Sequence, residues 1–168
     1  MPFQSTVNFV QGFGVIGELF DSGPVRAEPF IVNSADATNN VFGRAFTVVS
    51  QGIVQAGNPG GTAVFAGFLV NPKGSTTSGT AAGGSLAPTL TLPNQSNVEI
   101  LSMGSIIVTL PGAANIGDLV IYNNTTGILA TIAPGGSVPG GSSLAPAIVD
   151  RFSLSAAGLA VIRVTQVP

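Results

Sequence analysis

Seven carboxylates and five cations carry all the ionic chemistry of this sequence: Glu18, Asp21, Glu28, Asp36, Glu99, Asp118 and Asp150 against Arg26, Arg44, Lys73, Arg151 and Arg163. There is no His and no Cys, so the commonest general base, the commonest metal ligand and the thiolate nucleophile are missing. What remains is a Ser and Lys pair or two carboxylates. Lys73 and Ser75 lie close together, but in a stretch of small residues where nothing would desolvate the lysine and lower its pKa. A glycosidase pair or a calcium site would draw on clustered acids. These seven form no dense D-x-D run, and no Trp is present to stack on a sugar ring. They read as solvated turn positions, with Asp118 and Asp150 at strand edges. No catalytic residue, cofactor or metal is expected.

Two glycine patterns approach nucleotide-binding motifs. "GFGVIG" places Gly12, Gly14 and Gly17 at the G-x-G-x-x-G spacing, but that fingerprint needs a helix opening at the third glycine to present free N–H groups to a pyrophosphate. Ser22, Gly23 and Pro24 would end any such helix within two turns. Asp36 lies near the spacing of a ribose-binding acid, which is weak support alone. These glycines are expected to bend backbone between strands. "GFLVNPKGST", 67–76, puts Pro72 and Gly74 at two of the four fixed positions of a P-loop and so fails that motif.

The elements that must position these residues are legible from the punctuation. Gly (23) and Pro (12) interrupt the 168 residues so often that few windows could hold a three-turn helix. Between them lie runs rich in β-branched and aromatic residues: "STVNFV", "EPFIVN", "RAFTVVS", "TAVFAGFLV", "NVEIL", "SIIVTL", "DLVIYN", "GILATI", "AIVDRFSL" and "LAVIRVTQ". "NVEIL" and "SIIVTL" are expected to form a hairpin turning at Ser102, Met103 and Gly104, and "DLVIYN" and "GILATI" another through Asn124, Thr125 and Thr126. The expectation is an all-β single domain over 1–168, an antiparallel β-sandwich or jelly-roll-like fold with little or no helix. Residues 72–95 and 133–147, full of Gly, Ser and Ala, are expected as extended loops or arms. "GGSLAP" at 83–88 nearly recurs as "GGSSLAP" at 140–146, which low complexity explains better than a duplicated strand start.

Charged residues make up only 7% of the chain, against about a quarter in ordinary soluble proteins. Spread over the roughly 7,600 Å² that a monomer of this mass exposes, the charges are too sparse to keep copies apart in solution. Such a surface invites partners. A net charge of −2 gives no electrostatic footprint for nucleic acid. No run of 18 apolar residues exists for a membrane helix, and one Tyr without Trp does not supply the aromatic girdles of a membrane barrel. The start, "MPFQSTVNFVQGF", has no basic and apolar signal regions. Asn94, Asn123 and Asn124 open N-x-S/T triplets, expected as chance occurrences in polar turns. Four arginines, Arg26, Arg44, Arg151 and Arg163, sit at strand starts or within strands. Arg there fits either an interface or protection of a sheet edge.

Three segments together resemble the capsid cement, or decoration, proteins of tailed bacteriophages: "GVIGELFDSGPVRAEPFIVNS" (14–34), "VFGRAFTVVSQG" running on to "VFAGFLVNPKGST" (41–76), and "AAGLAVIRVTQ" (156–166). The likeness is one of order and texture. It implies a small β-rich virion protein, made in the host cytoplasm, that forms a homo-dimer or homo-trimer. It would sit on the capsid surface and bridge major capsid protein subunits, with no catalytic residues to transfer. Glu18, Arg26, Arg44 and Lys73 fall in the matching segments and are the implied capsid-interface candidates. A shell offers many identical partners, so modest contacts of about 1,000 Å² would sum through avidity. The rival from another class is a receptor- or carbohydrate-binding β-domain of a fibre or adhesin. Ten of the aromatic residues are Phe, which suits core packing better than sugar stacking.

Overall fold

The computed structural model describes residues 14–20, 23–71 and 91–165, and in them nine strands and one short 3₁₀ turn account for the regular structure. In chain order these are β1 (Arg26–Val32), the 3₁₀ turn Ala37–Asn39, β2 (Ala45–Ser50), β3 (Ile53–Ala56), β4 (Phe65–Leu69), β5 (Asn97–Leu110), β6 (Leu119–Asn123), β7 (Leu129–Ile132), β8 (Ser142–Arg151) and β9 (Gly158–Val164). The nearly all-β expectation holds, with no α-helix among the described residues. Nor is there, among the described residues, a helix long and apolar enough to cross a membrane.

The strands join in the order β1-β3-β2-β4-β5-β9-β8-β6-β7, and β1 pairs again with β5. The first five strands therefore close into a ring, and the last four extend from β5 as an open branch. This ring with a branch stands where a sandwich or jelly-roll arrangement was expected. Every ladder is antiparallel except β1 with β3, which run parallel through Ile31↔Ile53 and Val32↔Val54.

β5 is the spine. Leu101 faces Ala27 of β1 and Phe68 of β4 on its two edges, while five residues later Ile106 faces Leu19 and Ile162 of β9. The hairpin expected at Ser102–Gly104 is not formed. Those residues continue one 14-residue strand, and the β1 register slips there, with Arg26 opposite Met103 but Ala27 opposite Leu101. A bulge inserts one residue and exchanges the faces of all that follow. Val98 and Ile100 point into the ring core, whereas Ile106, Val108 and Leu110, also even-numbered, point into the second core. Gly104 makes the irregularity affordable: its φ is +128, and an added Cβ would lie 3.2 Å from Val25 Cγ2.

Two cores share walls. Phe46, Leu69 and Ile100 pack inside the ring with Val32 and Val54. Their strand neighbours Ala45, Phe68 and Leu101 pack outward against Val120, Tyr122, Val149 and Ile162 of the branch. β2, β4 and β5 are thus buried on both faces, which is why their sequences read as continuous apolar runs rather than alternations. Strand β3, "IVQA", was not expected; its four residues lie between Gly52 and Gly57. Of the stretch 133–147 expected as a loop, Ser142–Ala147 belongs to β8, so only 133–141 connects strands. Residues 72–90, most of the other expected loop, lie outside the described residues, as does the candidate strand "STVNFV".

Candidate functional site

Of the glycines of "GFGVIG", Gly17 serves a turn, and Gly14 lies just before it, packed close to Ile107. Gly17 has φ +81, its N–H donates to the Ile107 carbonyl at 2.7 Å, and the Glu18 carbonyl accepts from the Ile107 N–H at 2.9 Å. The chain then runs beside β5, through the Leu19↔Ile106 bridge, rather than into a helix. A Cβ on Gly17 would lie 2.8 Å from the Phe42 Cβ, so close approach to the ring explains this glycine. Gly12 lies outside the described residues.

The charged residues divide into small, separate groups. Asp36 Oδ1 accepts from the Thr38 N–H at 2.9 Å and from the Thr38 hydroxyl at 2.7 Å, capping the 3₁₀ turn. Those two bonds, hydroxyl first, hold its carboxyl below the ordinary value, and Arg44 adds to the effect. Asp118 Oδ2 accepts from the Asn115 N–H at 2.8 Å. Asp150 lies between Arg163, at 3.4 Å, and Arg151, at 3.5 Å, and Arg151 in turn stands 5.2 Å over the Phe20 ring. Among the described residues no three acidic, His or Cys side chains gather where they could hold a metal ion. Asn94, one of the three triplet asparagines, is an inward clamp: its Oδ1 accepts from the Ser34 N–H and from Asn40 Nδ2, and its Nδ2 donates to the Ser34 carbonyl.

The three interface candidates that are described, Glu18, Arg26 and Arg44, make separate contacts. Glu18 Oε2 accepts from the Val15 N–H at 3.2 Å, in the turn beside β5. Arg26, at the start of β1, donates from Nε to Ser102 Oγ at 2.7 Å and pairs with Glu28 at 3.5 Å, both partners well exposed. Lys73 lies outside the described residues, and so does Ser75.

Arg44 is placed differently. It stands where the ring meets the branch, just ahead of β2, and its Nη1 donates to Asn39 Oδ1 at 2.8 Å and to the Thr126 carbonyl at 3.1 Å. Both acceptors are neutral. Burial lowers its pKa from the ordinary value, opposed by Asp36, yet no carboxylate comes within 4 Å among the described residues. Beside it lies a cavity of about 320 Å³, lined by Ile16, Val41, Phe42, Arg44, Thr109, Pro111, Ile128 and Leu129, and by Gly43. Sequence reasoning marked Arg44 but not this cavity, whose walls come from four separated stretches of chain.

These features supply surface and one half-buried cation, and the comparisons with known proteins fit that picture. No curated protein matches the sequence. A chain in the solved capsid of Myoviridae phage XM1 has the same fold, with a TM-score of 0.67 over 100% of both chains at 17% identity. A family model described as "Structural cement protein (E217 gp24/Pam3 gp6)" matches residues 3–165. Nearly the whole sequence is spanned by that match, and the chain belongs to the family of phage structural cement proteins.

Proposed function

We propose that this protein binds the outside of a phage capsid and stabilises it by bridging major capsid protein subunits, without catalysing a reaction. The observation that carries this reading is the family match over residues 3–165. The fold likeness to a chain in a phage capsid supports it, as does a surface so poor in charge that cover by partners is its stable condition. The chain acts as a single unit, located on the virion, as a homo-dimer or homo-trimer whose repeated contacts sum by avidity. Glu18, Arg26, Arg44 and Lys73 are the proposed points of capsid contact, and Arg44 is the one with the most developed surroundings.

The test is electron microscopy of capsids assembled with and without this chain, paired with the temperature at which the shells rupture. Ordered density on the outer surface spanning neighbouring subunits, with a higher rupture temperature, is the expected result. Shells that gain neither density nor heat resistance would overturn the proposal.

A further inference from the structure

The geometry points to the cavity beside Arg44 as the seat of an extended segment of the capsid protein, one that carries a large apolar side chain next to an Asp or Glu. This rests on the proposed cementing role and names the chemistry of its contact.

Three observations converge. The cavity has room for roughly one or two large apolar side chains, and Ile16, Val41, Phe42, Ile128 and Leu129 make its wall apolar. Ile128, at its rim, is 43% exposed, an apolar residue that remains open to solvent in the isolated chain. Arg44 gives the site its charge. Nη1 is engaged by two neutral acceptors, while Nε and Nη2 take no acceptor among the described residues. A half-buried guanidinium with donors to spare and no carboxylate within reach is complementary to an anion, and Arg binds a carboxylate through two parallel N–H donors. Asp36 does not fill this place: it acts on Arg44 across a longer distance while its own Oδ1 is spent on Thr38.

The third observation is the backbone beside the cavity. β7 begins at Leu129, and it ends the branch: no described strand pairs with its outer edge. Unpaired strand edges take up extended peptides, with the backbone supplying affinity and an adjacent pocket supplying choice of side chain. An apolar cavity, a cation with donors to spare and no carboxylate in ion-pair contact among the described residues, and an unpaired strand edge within one neighbourhood select an extended, acidic and apolar peptide over a sugar or a nucleic acid.

The experiment measures binding of the full chain to capsid shells assembled without it. Arg44→Met keeps the apolar stem and removes the charge, Arg44→Lys keeps the charge but loses the planar fork, and Ile128→Glu places an anion at the rim. Val64→Glu makes the same kind of change at a site 64% exposed on the ring and away from the cavity. Tenfold or greater weakening is expected for Arg44→Met and Ile128→Glu, a smaller loss for Arg44→Lys, and none for Val64→Glu. Circular dichroism and melting confirm that each variant folds; if Arg44→Met does not, Ile128→Glu carries the test. Should the unaltered chain bind shells while Ile128→Glu and any folded Arg44→Met bind as well as it does, the cavity assignment is wrong and cementing stands. Equal weakening by Val64→Glu would also overturn it. If the variants lose only self-association in ultracentrifugation, the occupant is a second copy and this assignment is wrong. If the unaltered chain fails to bind shells, the cementing role falls and this inference with it.

Discussion

The ring and the branch solve the same problem in opposite ways. In the ring, β1 through β5 leave no free edge, since β1 pairs with both β3 and β5, so its backbone bonds are satisfied from within. The branch stops at β7 with one edge unpaired among the described residues, and there the apolar cavity and Arg44, with no carboxylate within 4 Å among the described residues, are found. A closed sheet resists adding a partner strand and an open one permits it. Under the proposal above, the ring would hold shape and the branch edge would meet the partner.

The strongest way to break the contrast is Gly67→Val. Gly67 sits in β4 at φ +147, where any Cβ would run into the Leu101 carbonyl oxygen, so the substitution forces β4 away from β5 and opens the ring. A loss of about 3 kcal/mol or more is expected, seen as an unfolded or aggregated product. Next come paired core truncations, Phe46→Ala in the ring and Ile162→Ala in the branch, both fully buried. Costs of about 3–5 and about 2–5 kcal/mol are expected. Because β5 is common to both cores, calorimetry should still show one transition for each variant. Two separated transitions would show the regions to be independent.

Tyr122→Phe sharpens the comparison by probing the branch core alone. Burial is the main cause that raises its pKa above the ordinary value, and the polar side chains of Asn58 and Ser143 oppose that rise. A raised tyrosine pKa means that the unfolded state loses its proton first. Stability is therefore intact below about pH 10 and falls as pH rises from there towards the folded-state pKa. The chain has one Tyr, one Lys and no Cys, so the alkaline loss, read by chemical denaturation across pH, should flatten in the Phe variant. The smallest effect belongs to Arg163→Ala. That side chain is 54% exposed and its partner Asp150 keeps Arg151, so less than about 1 kcal/mol is expected in chemical denaturation.

How much of this was legible follows from where the physics is local. The β6–β7 hairpin was readable because Asn123 closes its own turn, its Oδ1 accepting from the Thr125 and Thr126 N–H groups, and Gly127 supplies φ +69. The turn role of Gly17 was readable from the missing helix. β5 was misread because its bulge slips the alternation of apolar residues by one, which in sequence looks like the end of one strand and the start of another. The start of β8 was hidden by Pro146, which a strand tolerates here: its carbonyl accepts from the Thr165 N–H at 2.9 Å, and only its absent N–H is lost. Arg44 could be marked from its neighbours, but its acceptor on Thr126 lies 82 residues away, and no local pattern reports that. The ring closure itself rests on β1 meeting β5 across some 70 residues, a pairing that composition does not encode.

The shared strand has a mechanical side. At 14 residues β5 extends about 45 Å, and its ladder bonds lie across its length rather than along it. Tension applied between the two ends of this rod would strain many of those bonds together instead of unzipping them singly, a suitable geometry for a clasp on a container that is pushed from inside.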